Sequence, residues 1–132
     1  FAVAEALQKF GAKTIGIISP YMPIANKHIT QFFTDVGFSV ESFIGLQCPS
    51  PVEIAHVTAD ELSEALDQVD GTGIDALVQF GTNLHFMEQA AVEEEKRQKP
   101  VVAINSASYW HTLRLKNINV RYKKYGRLLA EF

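Results

Sequence analysis

The sequence has few of the features that define several large protein classes. Only one of its 132 residues is a cysteine, so an internal disulfide is excluded and the lone thiol fits a reducing cytoplasm. The formal net charge of -3 offers no basic surface for nucleic acid. No apolar run approaches the ~20 residues of a membrane-spanning helix. We therefore expect a cytoplasmic protein that binds neither nucleic acid nor a membrane.

Motifs for metals and nucleotides are also missing. The four histidines show no metal-ligand spacing. Neither a G-x-G-x-x-G nor a G-x-x-x-x-G-K sequence occurs, which disfavours a flavin or nucleotide domain. We expect no metal and no cofactor. The chain has an ordinary globular composition, with 47% hydrophobic and 20% charged residues, and is long enough for one domain with a buried core.

Strand and helix patterns alternate along the chain. Apolar and β-branched runs predict four strands, at residues 13–19, 38–44, 74–80 and 100–104. Apolar residues at helical spacing precede, separate and follow these strands. The resulting order α-β-α-β-α-β-α-β-α predicts an α/β fold, a four-stranded parallel sheet flanked by helices. The second strand alternates polar and apolar residues, which is typical of a position near a sheet edge.

Three connecting or exposed segments give more local predictions. Residues 46–57 contain Pro49 and Pro51 and are predicted to form a loop. Thr58 and Glu61 have the spacing of a capping box, so a helix should begin directly after Thr58. The acidic run from Glu93 to Glu95 predicts a solvent-exposed helix face.

The segment from Ala76 to Leu84 is the strongest indication of a binding site. An apolar strand stops at the Gly81-Thr82-Asn83 turn, and a helical pattern starts at once. The free N–H groups at the start of that helix would point at an anionic ligand. A similar crossing follows the first strand at Pro20-Tyr21-Met22-Pro23. Two such crossings predict a ligand cleft at the carboxyl ends of the strands.

Several segments of the chain are similar to a known family, in the same order. They are Pro20-Tyr21 with Asn26, Gly81 to Leu84, Lys99 to Asn105, Tyr109-Trp110, and Tyr125 to Leu129. Together they resemble the second half of the aspartate/glutamate racemase superfamily, in the branch of maleate cis-trans isomerase and arylmalonate decarboxylase. The resemblance implies one flavodoxin-like half of a pseudo-symmetric two-domain protein with the active site between its halves.

The resemblance also implies a division of the chain. Residues 1–116 would be the α/β domain that corresponds to the second half of the family. Residues 117–132 would be a C-terminal tail that packs on the first half. The chain starts at Phe1 inside a predicted helix, so we expect it to be part of a longer protein, with that first half absent. Members of the family often pair, which implies a homodimer.

The resemblance implies roles for residues at two strand ends. Tyr21 matches a tyrosine that hydrogen-bonds a substrate carboxylate, although its ring could instead pack under the loop. Gly81, Thr82 and Asn83 match a turn whose backbone N–H groups contact that carboxylate. Thr82 or Asn83 could equally be an ordinary helix N-cap. His85 is the histidine that could face the cleft.

The catalytic residue is where the sequence departs from the family. Phe80 occupies the position of the second-half cysteine, and phenylalanine can neither transfer a proton nor attack a double bond. A two-thiol racemase mechanism is therefore excluded. Cys48 lies in a loop that could rim the pocket, but an inert loop thiol fits as well. Asn26 and Ser50 are polar candidates on the same rim, or else turn and cap residues.

These observations predict a function without fixing its catalytic residue. The first hypothesis is a cofactor-independent isomerase of a small dicarboxylic acid, like maleate cis-trans isomerase, whose reactive thiol comes from the other half. The alternatives are an arylmalonate decarboxylase-like lyase and a catalytically silent protein that binds small carboxylates.

Overall fold

The computed structural model describes all 132 residues and contains one four-stranded parallel sheet. Its strands are β1 (Thr14–Ser19), β2 (Ser39–Gly45), β3 (Ala76–Gln79) and β4 (Val101–Ala103). The spatial order is β2-β1-β3-β4, so β2 is an edge strand and β3 is central. All three strand pairs are parallel. The predicted α/β fold and the edge position of the second strand are confirmed.

Helices cover both faces of the sheet. They are α1 (Ala2–Lys9), α2 (Pro23–Asp35), α3 (Pro51–Ala55), α4 (Ala59–Val69), α5 (Met87–Arg97), α6 (Ile104–Leu115) and α7 (Arg127–Glu131), with a 3-10 turn at Lys123–Tyr125. The core on one face contains residues of α1, α2, α6 and α7. The core on the other face contains residues of α3, α4 and α5. None of these helices combines the length and the apolar character that a membrane crossing requires.

The strands supply both cores because successive side chains point to opposite faces. In β3, Ala76 and Val78 join the first core, whereas Leu77 joins the second. All four residues of β3 are buried, as expected for a central parallel strand covered on both faces. Because the strands are parallel, the carboxyl ends of β1, β2 and β3 lie at the same end of the sheet, and a loop follows each of them.

The strand bounds differ from the prediction by one or two residues, and two other segments differ more. Residues 46–57 are not a continuous loop, because α3 occupies Pro51–Ala55. Pro51 is compatible with the first turn of a helix, where its missing N–H costs nothing, and the Ser50 hydroxyl caps that turn. The helix after β3 begins at Met87 and not directly after Asn83. The capping box of Thr58 and Glu61 is confirmed.

The prediction of a solvent-exposed face at Glu93 to Glu95 is wrong for two of its three residues. Glu93 and Glu94 are 1% and 6% exposed. Glu93 Oε2 accepts a hydrogen bond from Arg97 Nε at 2.8 Å. The Arg97 side chain also contacts Asp67 and Asp70, so these charges form one network between α4 and α5. The sequence pattern did not show this network, because a run of charges that includes Arg97 looks the same whether it is exposed or paired with another helix.

The C-terminal tail packs on the core of this chain. Leu128 and Leu129 of α7 are 4% and 0% exposed and belong to the same core as α1 and α6. Glu94 Oε2 accepts a hydrogen bond from the Arg127 backbone N–H at 2.7 Å, which fixes the start of α7. These contacts leave untested the expectation that the tail at 117–132 also packs on another half. Contact of its outer face with such a half stays a prediction.

Candidate functional site

The loop from Phe80 to Phe86, which joins β3 to α5, is the centre of the candidate site. The backbone N–H groups of Gly81, Thr82 and Asn83 have no hydrogen-bond acceptor within the chain. The carbonyls of the same loop are held, since Gly81 O accepts from Gln79 Nε2 at 2.7 Å and Thr82 O accepts from Asn105 Nδ2 at 2.9 Å. The loop therefore offers fixed donors without partners, which is what binding of an anion requires.

The loops after the first three strands meet at this position. A Cβ atom placed on Gly81 would lie 2.6 Å from Cγ of Pro20, so the β1–α2 loop touches the backbone here. Asn83 Nδ2 donates to the carbonyl of Pro51 at the start of α3. The sequence predicted a cleft at the carboxyl ends of the strands, and the structure brings these loops together there.

A cavity of about 810 Å³ opens beside the loop, on the side of β4. Thr82, Asn83 and His85 line one wall, and Tyr109, Tyr122 and Tyr125 line another. The remaining lining residues are Leu84, Phe86, Met87, Glu88, Gln89 and Asn105. The volume lies within the range of small-molecule sites, which are mostly apolar with a few convergent polar groups. The cavity is thus large enough for a small organic acid.

The electrostatics of this cavity favour an anion. The first turn of α5, Met87 to Gln89, lines it, so the positive end of the helix dipole faces the space. The carboxylate of Glu88 is the acidic group in the lining, and Lys124 Nζ lies 2.7 Å from its Oε1. The dipole predicted from the sequence is therefore present, although the helix starts after the Gly-Thr-Asn turn.

Tyr21 and Asn26 lie on the β1–β2 side of the loop and do not line the cavity. Tyr21 is half-buried, follows Pro20 directly, and its phenol makes no hydrogen bond within the chain. The side-chain oxygen of Asn26 is buried without a donor. A Cβ on Gly45 would lie 3.0 Å from this oxygen, so Asn26 packs against the end of β2. Tyr21 is thus near Gly81 through Pro20, whereas Asn26 is turned towards the sheet.

Ser50 and Cys48 have other environments than the cavity. Ser50 Oγ accepts a hydrogen bond from the Glu53 N–H at 3.3 Å and is the N-cap of α3. Cys48 lines a separate hollow with Leu46 and Val57. Burial raises the pKa of the Cys48 thiol above its ordinary value, which lowers its reactivity. Cys48 is therefore outside the cavity of the candidate site, and its role stays a prediction.

Phe80 is partly buried against the core and does not line the cavity. Its ring meets that of Phe33 edge-to-face, with centroids 5.7 Å apart. The correspondence of Phe80 with the family cysteine stays a prediction. The next residue is Gly81, so neither position at this strand end carries a thiol. If the correspondence were shifted by one residue, the end of β3 would therefore still carry no thiol.

Some residues of the candidate site were missed by the sequence interpretation. Gln79 and Asn105 received no role, because a polar residue inside a strand or at a helix start has no distinctive spacing. Tyr109 and Tyr125 stood in segments that carried the resemblance, but only the fold brings them to one wall. No group of three or more His, Cys, Asp or Glu side chains in the structure could hold a metal ion.

Comparisons with known proteins agree with the resemblance found in the sequence. A model of the arylmalonate decarboxylase family matches residues 1–129. Among curated proteins, the chain is similar to maleate isomerase of Alcaligenes faecalis, with 23% identity over 131 residues. That alignment covers 98% of this chain and 51% of the relative. The chain thus spans about half the length of the curated relatives that it matches.

Solved structures show the same fold. A mutant of Nocardia farcinica maleate cis-trans isomerase with a covalently bound succinylcysteine intermediate superposes with a TM-score of 0.94 at 21% identity. The match covers 99% of this chain and 54% of that one. A crystal structure of arylmalonate decarboxylase gives a TM-score of 0.86 at 20% identity, covering 97% of this chain and 57% of the other. At these identities the structural likeness establishes the fold alone.

Proposed function

Because the chain belongs to the arylmalonate decarboxylase family, we propose that it supplies the carboxylate-binding half of a cofactor-independent isomerase of a small dicarboxylic acid. The observation that carries the proposal is the set of three consecutive N–H groups without acceptors, at Gly81, Thr82 and Asn83. Thr82 and Asn83 line a cavity of about 810 Å³ at the positive end of α5. Donors fixed in this way can hold a carboxylate and stabilise negative charge that develops on it.

The reaction in the proposal is the cis-trans isomerisation of maleate. A thiolate adds to one carbon of the double bond, and the electron pair moves to the adjacent carbon and its carboxylate. The former double bond is then single and can rotate, after which elimination of the thiolate restores the double bond in the trans form. The succinylcysteine in the Nocardia structure has the connectivity of this addition product. The Gly81–Asn83 amides would bind the carboxylate that takes up charge.

The reactive thiol in this proposal comes from outside the 132 residues. Cys48 is the lone sulfhydryl of the chain, lies away from the cavity and has a raised pKa. Three large apolar side chains that follow the carboxyl ends of β1 and β2, Met22, Ile24 and Val52, are 48%, 81% and 63% exposed. A contiguous patch of such side chains would mark a surface that another body covers. A second half docked at this end of the sheet would bring a thiol towards the loop after β3.

Two other functions remain as alternatives. An arylmalonate decarboxylase-like lyase would need a proton donor beside the bound carboxylate, and His85 is the titratable side chain nearest the Gly-Thr-Asn turn in the sequence. A catalytically silent carboxylate-binding protein is favoured by the absence of a thiol at positions 80 and 81. Both alternatives use the same amides, so they share the binding step and differ in the chemistry.

An assay of the intact protein with maleate tests the proposal. We expect formation of fumarate, loss of this turnover after alkylation with iodoacetamide, and full turnover in the Cys48→Ser variant. If maleate is not converted but calorimetry detects binding of succinate, the silent binder replaces the isomerase. Release of carbon dioxide from an arylmalonate would favour the lyase. Absence of both turnover and succinate binding would contradict every form of the proposal.

The proposal also includes the setting in which the protein acts. We propose a cytoplasmic homodimer, which the lone free cysteine and the family membership support. Sedimentation equilibrium of the intact protein measures its mass directly. A monomer at all concentrations tested would contradict the dimer without affecting the carboxylate site.

A further inference from the structure

Two side-chain amides hold consecutive carbonyls of the loop after β3. Gln79 Nε2 donates to Gly81 O at 2.7 Å, and Asn105 Nδ2 donates to Thr82 O at 2.9 Å. Gln79 is the last residue of β3 and is fully buried. Asn105 lies in the first turn of α6 and lines the cavity. Two separate elements therefore fix two neighbouring peptide groups of the candidate site.

The position of a carbonyl determines the direction of the next N–H group. A trans peptide is planar, so its C=O and its N–H point in opposite directions, and the chain has no cis peptide bond. Because Gly81 O is turned towards the buried Gln79, the Thr82 N–H is turned away from the interior. In the same way the bond from Asn105 to Thr82 O sets the direction of the Asn83 N–H. Both N–H groups are without acceptors.

Gln79 is hard to explain by stability alone. Its Nε2 has a partner, but its Oε1 is buried without any donor. A buried polar atom without a partner costs about 1–3 kcal/mol, and an apolar residue at the end of a central strand would avoid that cost. What glutamine adds at this position, and an apolar residue would not, is the hydrogen bond to Gly81 O.

We propose that Gln79 and Asn105 are positioning residues, which hold the Gly81 and Thr82 carbonyls so that the amides of Thr82 and Asn83 are oriented for a substrate carboxylate. The inference rests on the proposed function of this loop. Orientation before binding raises affinity because the donors need not be ordered when the anion arrives. Neither residue touches the substrate in this account.

Titration of the intact, ¹⁵N-labelled protein with succinate tests the inference. Succinate is a saturated dicarboxylate and cannot isomerise. We expect the amide signals of Thr82 and Asn83 to shift on titration, and the affinity to fall roughly threefold to tenfold in Asn105→Ala, the scale of one lost hydrogen bond. Order parameters of these two amides should fall in the variant without ligand, a change that a purely structural role would not confine to them. Gln79→Met, which keeps the side-chain volume, should act in the same direction.

Gln98→Ala is a matched control. Its side-chain amide also donates to a backbone carbonyl, that of Glu95 at 2.8 Å, but far along α5 from the cavity. We expect its succinate affinity to equal that of the wild type.

Equal affinity and equal amide order in the wild type and Asn105→Ala would overturn the positioning role alone. No succinate binding by the wild type would overturn the proposed function and this inference with it. Asn105 is not in the core, so we expect Asn105→Ala to fold. This variant alone tests the inference if Gln79→Met fails to fold.

Discussion

At Gly81 the chain runs so close to the β1–α2 loop that no side chain fits. Its φ of +152° and the nearby Pro20 ring both require glycine. This contact fixes the backbone next to the Thr82 and Asn83 amides, which are proposed to bind the ligand. The sequence indicated the turn and its polarity. It could not indicate that Phe80 would turn towards Phe33, because a ring at a strand end has no preferred face until its neighbours are placed.

Substitution of Gly81 should show this constraint. We expect Gly81→Ala to lower the free energy of unfolding by more than about 1 kcal/mol, because the new Cβ would overlap Pro20 and the backbone is strained for alanine. Urea denaturation measures the change. Gly73→Ala is the control, since a Cβ there meets nothing within 4 Å, and its stability should be unchanged or slightly higher. Equal effects of the two substitutions would show that Gly81 is not tightly packed.

Removal of one oxygen atom, in Tyr21→Phe, distinguishes a tyrosine that binds a carboxylate from one that only packs under the loop. The phenol of Tyr21 has no partner within the chain, so Tyr21→Phe should leave the free energy of unfolding unchanged. If the phenol donates to a carboxylate, succinate binding should weaken by roughly 1–2 kcal/mol, the scale of a hydrogen bond to a charged group. Calorimetry of the intact protein measures this difference. Unchanged affinity would leave Tyr21 as a packing residue.

At the scale of helices and strands, most of the architecture follows from the apolar pattern. The strands, the capping box of Thr58 and the position of β2 at an edge were predictable, since they depend on local periodicity. The short helix α3 and the late start of α5 were not. In α3, proline is compatible with a first helical turn but also marks loops. In the β3–α5 loop, the side chain of Asn105 holds the carbonyl of Thr82 in a turn, where the local pattern favours a helix.

The buried Glu94 connects three elements and should make stability depend on pH. Burial raises the pKa of Glu94 above its ordinary value, although N–H groups of Val101 and Arg127 donate to it and lower it in part. The folded chain therefore holds this proton to a higher pH than the unfolded chain does. It follows that the contribution of Glu94 to stability is greatest at low pH and falls as the pH rises through the raised pKa.

Comparison of the wild type with Glu94→Gln isolates this effect. The difference in free energy of unfolding, wild type minus variant, should fall as the pH rises above about 4, the ordinary pKa of a glutamate, because glutamine does not titrate. Denaturation curves at a series of pH values give the difference. A difference that rises with pH would mean that the two backbone donors outweigh burial and keep Glu94 more acidic in the fold.

At the scale of the whole molecule, the family and the fold were within reach of the sequence, whereas the chemistry was not. Segments such as Gly81 to Leu84 carried the resemblance, and the family match over residues 1–129 agrees with it. The cavity was predictable only in position, because Tyr109, Tyr122 and Tyr125 reach one wall through the packing of α6 and the tail. The leucines of the tail belong to the core of this chain, and the contact of the tail with another half stays a prediction. Tail docking depends on the whole surface, which local patterns do not describe.

The most direct test of the central claim is a crystal structure of the intact protein with succinate bound. We expect a carboxylate whose oxygens lie within hydrogen-bond distance, about 2.7–3.2 Å, of the backbone nitrogens of Thr82 and Asn83. The carbonyls of Gly81 and Thr82 should still be held by Gln79 and Asn105. A structure in which protein groups already occupy these two amides, with succinate bound elsewhere, would contradict it.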